Sequence, residues 1–451
     1  MFWRRTSTHN AVADITATQR PSVKRTQTPG RKSVIRSNVA VCRRVRPAPV
    51  QPHGRDGRGE SDGSELLFAA VLTLLLATGW AANHYAGLIP AISDRQHLGR
   101  ATLDAIFGIY AVGLLPGLLL GGRASDVLGR QSVAWAGAVT ALAGTVAMLV
   151  SQHSGVLLGG RLVVGAGVGL VISSCTAWAS DLKGPAGAAV AGAVLTAGFA
   201  VGPFASGLIA SARQSGLWES FGIAAALVLL ATVVAVVAAQ RAAVPAPVAG
   251  RGQEPSVSAR RDITRALSWA LPLAPWVFAS ATLAFITIPT RVHTGLAAPI
   301  AAGTAALIAN GVSGITQLIA RARRWGPQAG TFGAVLAALG YAVTAAAPST
   351  MPLGVGLSLL VVLGCASGLL LREGLIDLEA AAPQRLRGAL TGTFYTVSYL
   401  GFGLPMLLST IGSAGATMIL AVMAVLALAT AASRAIRLRR DSHRQSEFLS
   451  A

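Results

Sequence analysis

Charge is scarce in this sequence of 451 residues. Only 12% of them are Asp, Glu, Lys or Arg, where a soluble domain averages about 25%. Acids are scarcer than bases, 17 against 37, and the formal net charge is +20. The three cysteines, Cys42, Cys175 and Cys365, form no Cys-x-x-Cys or metal-ligand spacing, so no disulfide framework or metal site is expected. There is no Asp-rich metal motif of the kind an intramembrane prenyltransferase needs. Nor is there a Gly-x-x-x-x-Gly-Lys-Ser/Thr loop to cradle the phosphates of a primary pump. No enzyme and no cofactor is expected.

What is abundant is apolar sequence. Hydrophobic residues make up 53% and mean hydropathy is +0.59. Apolar runs fall at about 66–92, 103–122, 132–151, 155–178, 187–211, 217–239, 269–290, 298–320, 329–347, 352–371, 388–410 and 413–433. Each is long enough for a helix to cross a bilayer core of roughly 30 Å. In lipid every backbone group must bond internally, and the alternating ten-residue pattern of a barrel is missing. The expected fold is an all-α integral membrane protein of twelve transmembrane helices in two pseudo-symmetric six-helix halves.

The net charge of a nucleic-acid binder is here distributed as a membrane topology signal. With the N-terminus in the cytoplasm, only Arg95, Arg100, Arg213 and Arg291 fall outside, Arg161 lies within a helix, and every other Lys and Arg is inside. The positive-inside rule therefore puts both termini in the cytoplasm, and no nucleic-acid partner is expected. Residues 1–64 read as a disordered basic tail. It is open whether it is a solvated tail on anionic lipid, an Arg-rich transit peptide or the product of a start codon placed too early. Residues 65–239 and 269–433 make the two halves, 240–268 a Pro- and Gly-containing cytoplasmic linker, and 434–451 a basic C-tail.

Three strings carry chemistry. Between helices 2 and 3 stands Gly122-Arg123-Ala124-Ser125-Asp126-Val127-Leu128-Gly129-Arg130-Gln131. Helix 4 carries Leu157-x-x-x-Arg161-x-x-x-Gly165-x-Gly167, and a charge inside an apolar helix is costly and normally functional. Helix 5 carries Gly198-x-x-x-Gly202-Pro203-x-x-Ser206-Gly207. Together these resemble the major facilitator superfamily over roughly residues 65–435. The first string matches its signature loop at Gly122, Asp126, Gly129 and Arg130. The third is similar to the antiporter motif of twelve-helix drug:proton antiporters, with Ser206 in place of a glycine and Ala189 in place of an upstream one.

The resemblance implies roles. Asp126 is expected at the N-terminus of helix 11, near Gly388, and Arg130 beside Asp181, forming an inner gate with Gly122 and Gly129. In the second half Arg323 and Arg324 are expected opposite Glu373 or Asp377. Helices 1, 4, 7 and 10 are expected to line a substrate cavity, with Trp80, Tyr85, Trp276, Phe278 and Phe285 as its aromatic wall and Tyr395 and Tyr399 further back. His84 and Asn83 are expected in the coupling or substrate cavity, His84 as a candidate proton carrier with Asp94 and Asp104 as others, and Arg161 supplies a fixed charge. Gly198, Gly202, Pro203 and Gly207 make up the antiporter motif, in which Gly202-Pro203 is expected to pack helix 5 against helix 8. The expected function is proton-coupled efflux of small hydrophobic or amphipathic compounds by a monomer in the plasma membrane, in contact with membrane lipid. The alternative is an uptake or solute-specific facilitator of the same fold.

Overall fold

The computed structural model of the protein describes residues 57–242, 257–381 and 387–450. Among the described residues there are no strands, and one isolated bridge joins Val292 to Met351. Eleven helices are long and apolar enough to cross a membrane. In chain order they are α1 (Gly63–Gln96), α2 (Arg100–Leu128), α3 (Arg130–Val150), α4 (Ser154–Gly184), α5 (Ala186–Ala212), α6 (Gly216–Arg241), α7 (Asp262–Arg291), α8 (Ala298–Ala322), α9 (Gln328–Ala346), α10 (Leu353–Ala381) and α12 (Gly412–Asp441). Between the last two lies α11, in three pieces: Arg387–Tyr399, a 3-10 turn Leu400–Gly403, and Leu404–Thr410.

Several boundaries differ from those expected. The first helix begins at Gly57, so residues 57–64 are helical, and Glu65 anchors this end by pairing with Lys183 at the α4–α5 junction. Residues 1–56, including Cys42, and 243–256 of the linker lie outside the described residues. The rest of the linker enters α7 as an amphipathic helix, Val257–Ala270. Ala266 and Ala270 are buried and Ile263 and Leu267 half-buried, a spacing that presents one helical face to the core. The C-tail continues α12 as helix to Ser450.

Helix α1 is interrupted by a turn at His84, between Gly57–Asn83 and Tyr85–Gln96. Helix α7 passes through a π-helical turn at Leu283–Thr287 and a 3-10 turn at Ile288–Arg291, where Pro289 supplies no N–H. Irregular turns of this kind recur at functional sites.

Without water to drive apolar surfaces together, membrane helices associate through close packing, and small residues let backbones approach. Helices α2 and α3 both pack on α4 in this way. A Cβ at Gly117 would stand 2.7 Å from the Ala166 carbonyl, and one at Gly167 2.5 Å from that of Gly137. Helix α5 lies against both α1 and α8. Helix α2 runs antiparallel to α11, with Gly108 beside Phe402 and Gly392 beside Leu119. The start of α1, the end of α6 and the α2–α3 and α8–α9 turns therefore share one face, here called the terminal face. Residues 97–99, 213–215 and 292–297 turn at the opposite face.

Gly117→Leu should destabilise the protein by about 1–3 kcal/mol through overpacking, lowering its unfolding temperature in detergent. Gly222→Leu, where a Cβ meets open space, should leave it nearly unchanged. Equal effects at both positions would contradict packing through small residues.

Candidate functional site

At the terminal face the loop after α2 is built around Arg130. Its Nη1 lies 2.5 Å from Asp126 Oδ1 and donates to Ser125 Oγ at 2.7 Å, while its Nε donates to Asp181 Oδ2 at 2.9 Å. Ser125 Oγ in turn donates to the Gly122 carbonyl. One guanidinium thus ties the end of α2, the start of α3 and the end of α4. Gly129 makes the turn with φ of +90°, a conformation that favours glycine. The Arg130–Asp181 pair is the one expected. Asp126 pairs with Arg130, four residues on; the contact expected with Gly388 lies outside the described surroundings. Asp126 and Asp181 remain 60% and 51% exposed.

A second charged cluster at this face is constructed differently. Glu373 and Asp377 do not face Arg323 and Arg324, which are exposed at the α8–α9 turn. Their partners are Arg372, which pairs with Glu373, and Arg434 of α12, whose Nη1 donates to Asp377 Oδ2 at 2.5 Å. Arg434 Nε and Nη2 also donate to the Pro327 carbonyl, at 3.3 and 3.1 Å. Arg434 is 4% exposed and Glu373 2%, so an acid does lie buried in a helix. Gly330 makes room, since a Cβ there would stand 2.9 Å from Arg434 Nε. One turn on, Arg437 lies 4.1 Å from the Trp269 ring centre and donates to the Ser268 carbonyl at 2.7 Å. Two arginines assigned to the basic C-tail fasten α12 to α7, α9 and α10.

Between the faces, the α5 motif is the junction of three helices. Pro203 has no N–H to offer the carbonyl of Phe199 four residues before it. Asn83 Nδ2 of α1 donates to that carbonyl at 2.8 Å, and Asn310 Nδ2 of α8 lies 3.5 Å away. Glycines bring the backbones together. A Cβ at Gly198 would stand 2.9 Å from Trp80 N, and one at Gly202 3.0 Å from Trp80 Cα. Gly202 therefore faces α1, not α8. Contact with α8 comes from Gly207, packed on Pro299, and from Pro203, packed on Gly303. Asn83, expected in the cavity, serves this junction.

Arg161 lies beside it, fully buried. Its Nη1 donates to the Ala82 carbonyl at 2.7 Å, next to the break in α1. Its guanidinium carbon stands 4.5 Å from the Tyr110 ring centre and 5.0 Å from that of Tyr85. His84 is buried, with Nδ1 2.9 Å from the Ala81 carbonyl, its ring edge-on to Phe221 at 5.2 Å, and Nε2 without a partner.

The aromatic wall is shifted from the expected one. Trp276 is buried towards α9 and α12, donating from Nε1 to Thr430 Oγ1 at 3.2 Å and lying 6.0 Å from Tyr341. Trp80 is half-buried against Gly202. Phe285 is buried 6.1 Å from Phe107, which stacks on Phe402 at 5.2 Å. Phe402 also meets Tyr110, Phe278 and Tyr399. Tyr110, Phe107 and Phe402 sit on α2 and α11, outside the four helices taken to line the cavity. Phe402 stands between Gly401 and Gly403, where Gly401 packs on the α7 backbone. Towards the opposite face, Arg100 pairs with buried Asp104 at 3.1 Å and donates to the Ile286 carbonyl, in the π-helical turn, at 3.0 Å. Asp104 is thus buried, while Asp94 is exposed.

A bundle of membrane-crossing helices with an arginine-tied loop and a glycine-packed proline helix is the architecture of a membrane transporter. The family profile of the Major Facilitator Superfamily matches residues 69–406, and the chain belongs to that superfamily. Solved structures share the fold at low identity. A peptide transporter POT in complex with sulfate has a TM-score of 0.69 and 13% identity, over 83% of this chain and 94% of its own. The POT family transporter PepTSo gives 0.67 and 12%, over 83% and 98%. A POT family transporter in complex with 5-aminolevulinic acid gives 0.67 and 12%, over 83% and 96%. No curated protein matches the chain.

The two terminal-face clusters should respond oppositely to mutation. Exposed ion pairs contribute about 0–1 kcal/mol, so Arg130→Ala should change transport while leaving folded yield intact. Removing one partner of a buried pair costs about 3–5 kcal/mol, so Arg434→Ala should lose folded protein. Yields measured by size-exclusion chromatography that fall alike for both would contradict this division.

Proposed function

We propose that this transporter exports small amphipathic compounds across the plasma membrane in exchange for protons, as a monomer working by alternating access. In this reading α11 is the twelfth crossing. Residues 65–239 and 269–433 form two six-helix halves, 240–268 joins them in the cytoplasm, and both termini are cytoplasmic. Asp126, Arg130 and Asp181, with Gly122 and Gly129, act as the inner latch. The weakness of exposed ion pairs suits contacts that break in each cycle.

One observation carries the reading. Toward the face opposite the termini, contacts run between the proposed halves: Arg100 to the Ile286 carbonyl, and Phe107 to Phe402 and Phe285. The charged bonds of the terminal face run within each half, Arg130 to Asp181 and Arg434 to Asp377. Rocking one half on the other about the α1–α5–α8 junction would break the first set without touching the second. Transporters built from repeats move in this way around a site near the midplane. The glycine contacts of Gly198, Gly202 and Gly207 leave little room for a leak along that junction.

Exchange for protons needs a titrating group near the pathway. His84, with an unpartnered Nε2, is the first candidate. Asp104, buried beside Arg100, is the second. A different reading, uptake of small solutes, is favoured by the solved structures of like fold, which are peptide transporters.

Everted vesicles loaded against a compound panel, with and without a pH gradient, separate the two. Antiport predicts that collapsing the gradient lowers accumulation at least about fivefold, and that Gly202→Leu does the same by forcing α1 from α5. His84→Ala should flatten the pH profile, since alanine has no titrating group. An unchanged profile assigns the proton to Asp104. Transport indifferent to the gradient would sink antiport in favour of a facilitator.

A further inference from the structure

Among the described residues, Arg161 differs from the other buried arginine, Arg434, in its partners. Arg434 has Asp377, Glu373 and the Pro327 carbonyl. Arg161 has one carbonyl and two aromatic faces, and among the described residues no carboxylate lies within ion-pair distance of it. Its Nε and Nη2 have no hydrogen-bond partner, and neither do the hydroxyls of Tyr85 and Tyr110, whose rings flank it. A buried charge without a counter-charge is strongly unfavourable, and each unbonded buried donor adds to the cost. Cation–π contacts with two tyrosines return only part of it. Such a cluster is maintained where something negative completes it.

The geometry identifies that partner. Nε and Nη2 form one edge of the guanidinium fork, which matches the two oxygens of a carboxylate. The two phenol hydroxyls, buried and unbonded in the same cluster, are further donors. One guanidinium balances one negative charge. Beyond Tyr110 the surroundings are aromatic: Phe402 at 6.1 Å, and behind it Phe107, Phe278 and Tyr399. A charged head and an apolar body would therefore be held in one direction, from α4 towards α7 and α11.

We propose that Arg161, Tyr85 and Tyr110 bind the carboxylate of the transported compound, whose class is an amphipathic organic monoanion. The proposal rests on the chain being a transporter and is independent of proton coupling.

The test uses purified full-length protein in detergent, with no gradient. Benzoate, 4-phenylbutyrate and octanoate are titrated by thermal unfolding, beside benzamide, 4-phenylbutyramide and octanamide, with sodium chloride as the ionic control. The carboxylates should raise the unfolding temperature saturably, and the amides and chloride should not. Tyr85→Phe with Tyr110→Phe keeps both rings and removes both hydroxyls. It should weaken carboxylate binding at least about tenfold, since hydrogen bonds to charged groups are among the stronger ones. Arg161→Gln should abolish it. Equal response to acid and amide would mean an apolar pocket, and response to chloride a small inorganic anion site. Silence towards all the carboxylates, or unaltered binding by the double phenylalanine variant, overturns the proposal equally. Loss of pH-gradient dependence in vesicles would leave these outcomes untouched, so failure of antiport and failure of this site are distinguishable.

Discussion

Hydrocarbon offers no water to a carbonyl or a charge that the fold leaves unpaired, and the centre of this protein is arranged around that constraint. Pro203 frees the Phe199 carbonyl, and the donors that meet it come from two other helices, Asn83 of α1 and Asn310 of α8. A local defect in α5 thereby becomes a three-helix junction. The glycines around it follow from the same demand, because the amides reach only if the backbones approach closely. Arg161 obeys the constraint in part, through the Ala82 carbonyl and two tyrosine rings.

The two clusters at the terminal face show how burial sets what an ion pair is suited for. Asp126 and Asp181 are exposed and Arg130 is only half-buried, so making and breaking their bonds changes the energy little. Arg434, Glu373 and Asp377 are shielded, and separating them would strand charge in a poorly polar environment. The first arrangement suits a part that moves. The second suits a fixed scaffold, and it extends through Arg437 and Trp269 to the start of α7.

Much of this was legible in the sequence. Long apolar runs mark the helices because crossing hydrocarbon requires them, and eleven of those expected appear as single apolar helices. The Arg130–Asp181 pair and the burial of Arg161 followed from motif position. Other parts depend on contacts between residues far apart in sequence. Asn83 looked like a cavity residue because its partner, the Phe199 carbonyl, is 116 positions away. Arg434 and Arg437 looked like tail charges because nothing local reveals that α12 runs past Pro327 and Ser268. Trp276 is apolar and aromatic whichever way it turns, and its bond to Thr430 decides the matter. The breaks in α1 at His84 and in α11 at Leu400–Gly403 carry no proline within them, so the apolar pattern runs straight across.

Alternating opening of the two faces is the central claim, and paired distances test it most directly. Spin labels on cysteines at Arg213 and Leu296 would report the face opposite the termini, and labels at Val127 and Arg323 the terminal face, by pulsed electron resonance across a range of pH. The account predicts two populations in which one distance lengthens as the other shortens. Distances that stay fixed at both faces, or that lengthen together, would contradict it.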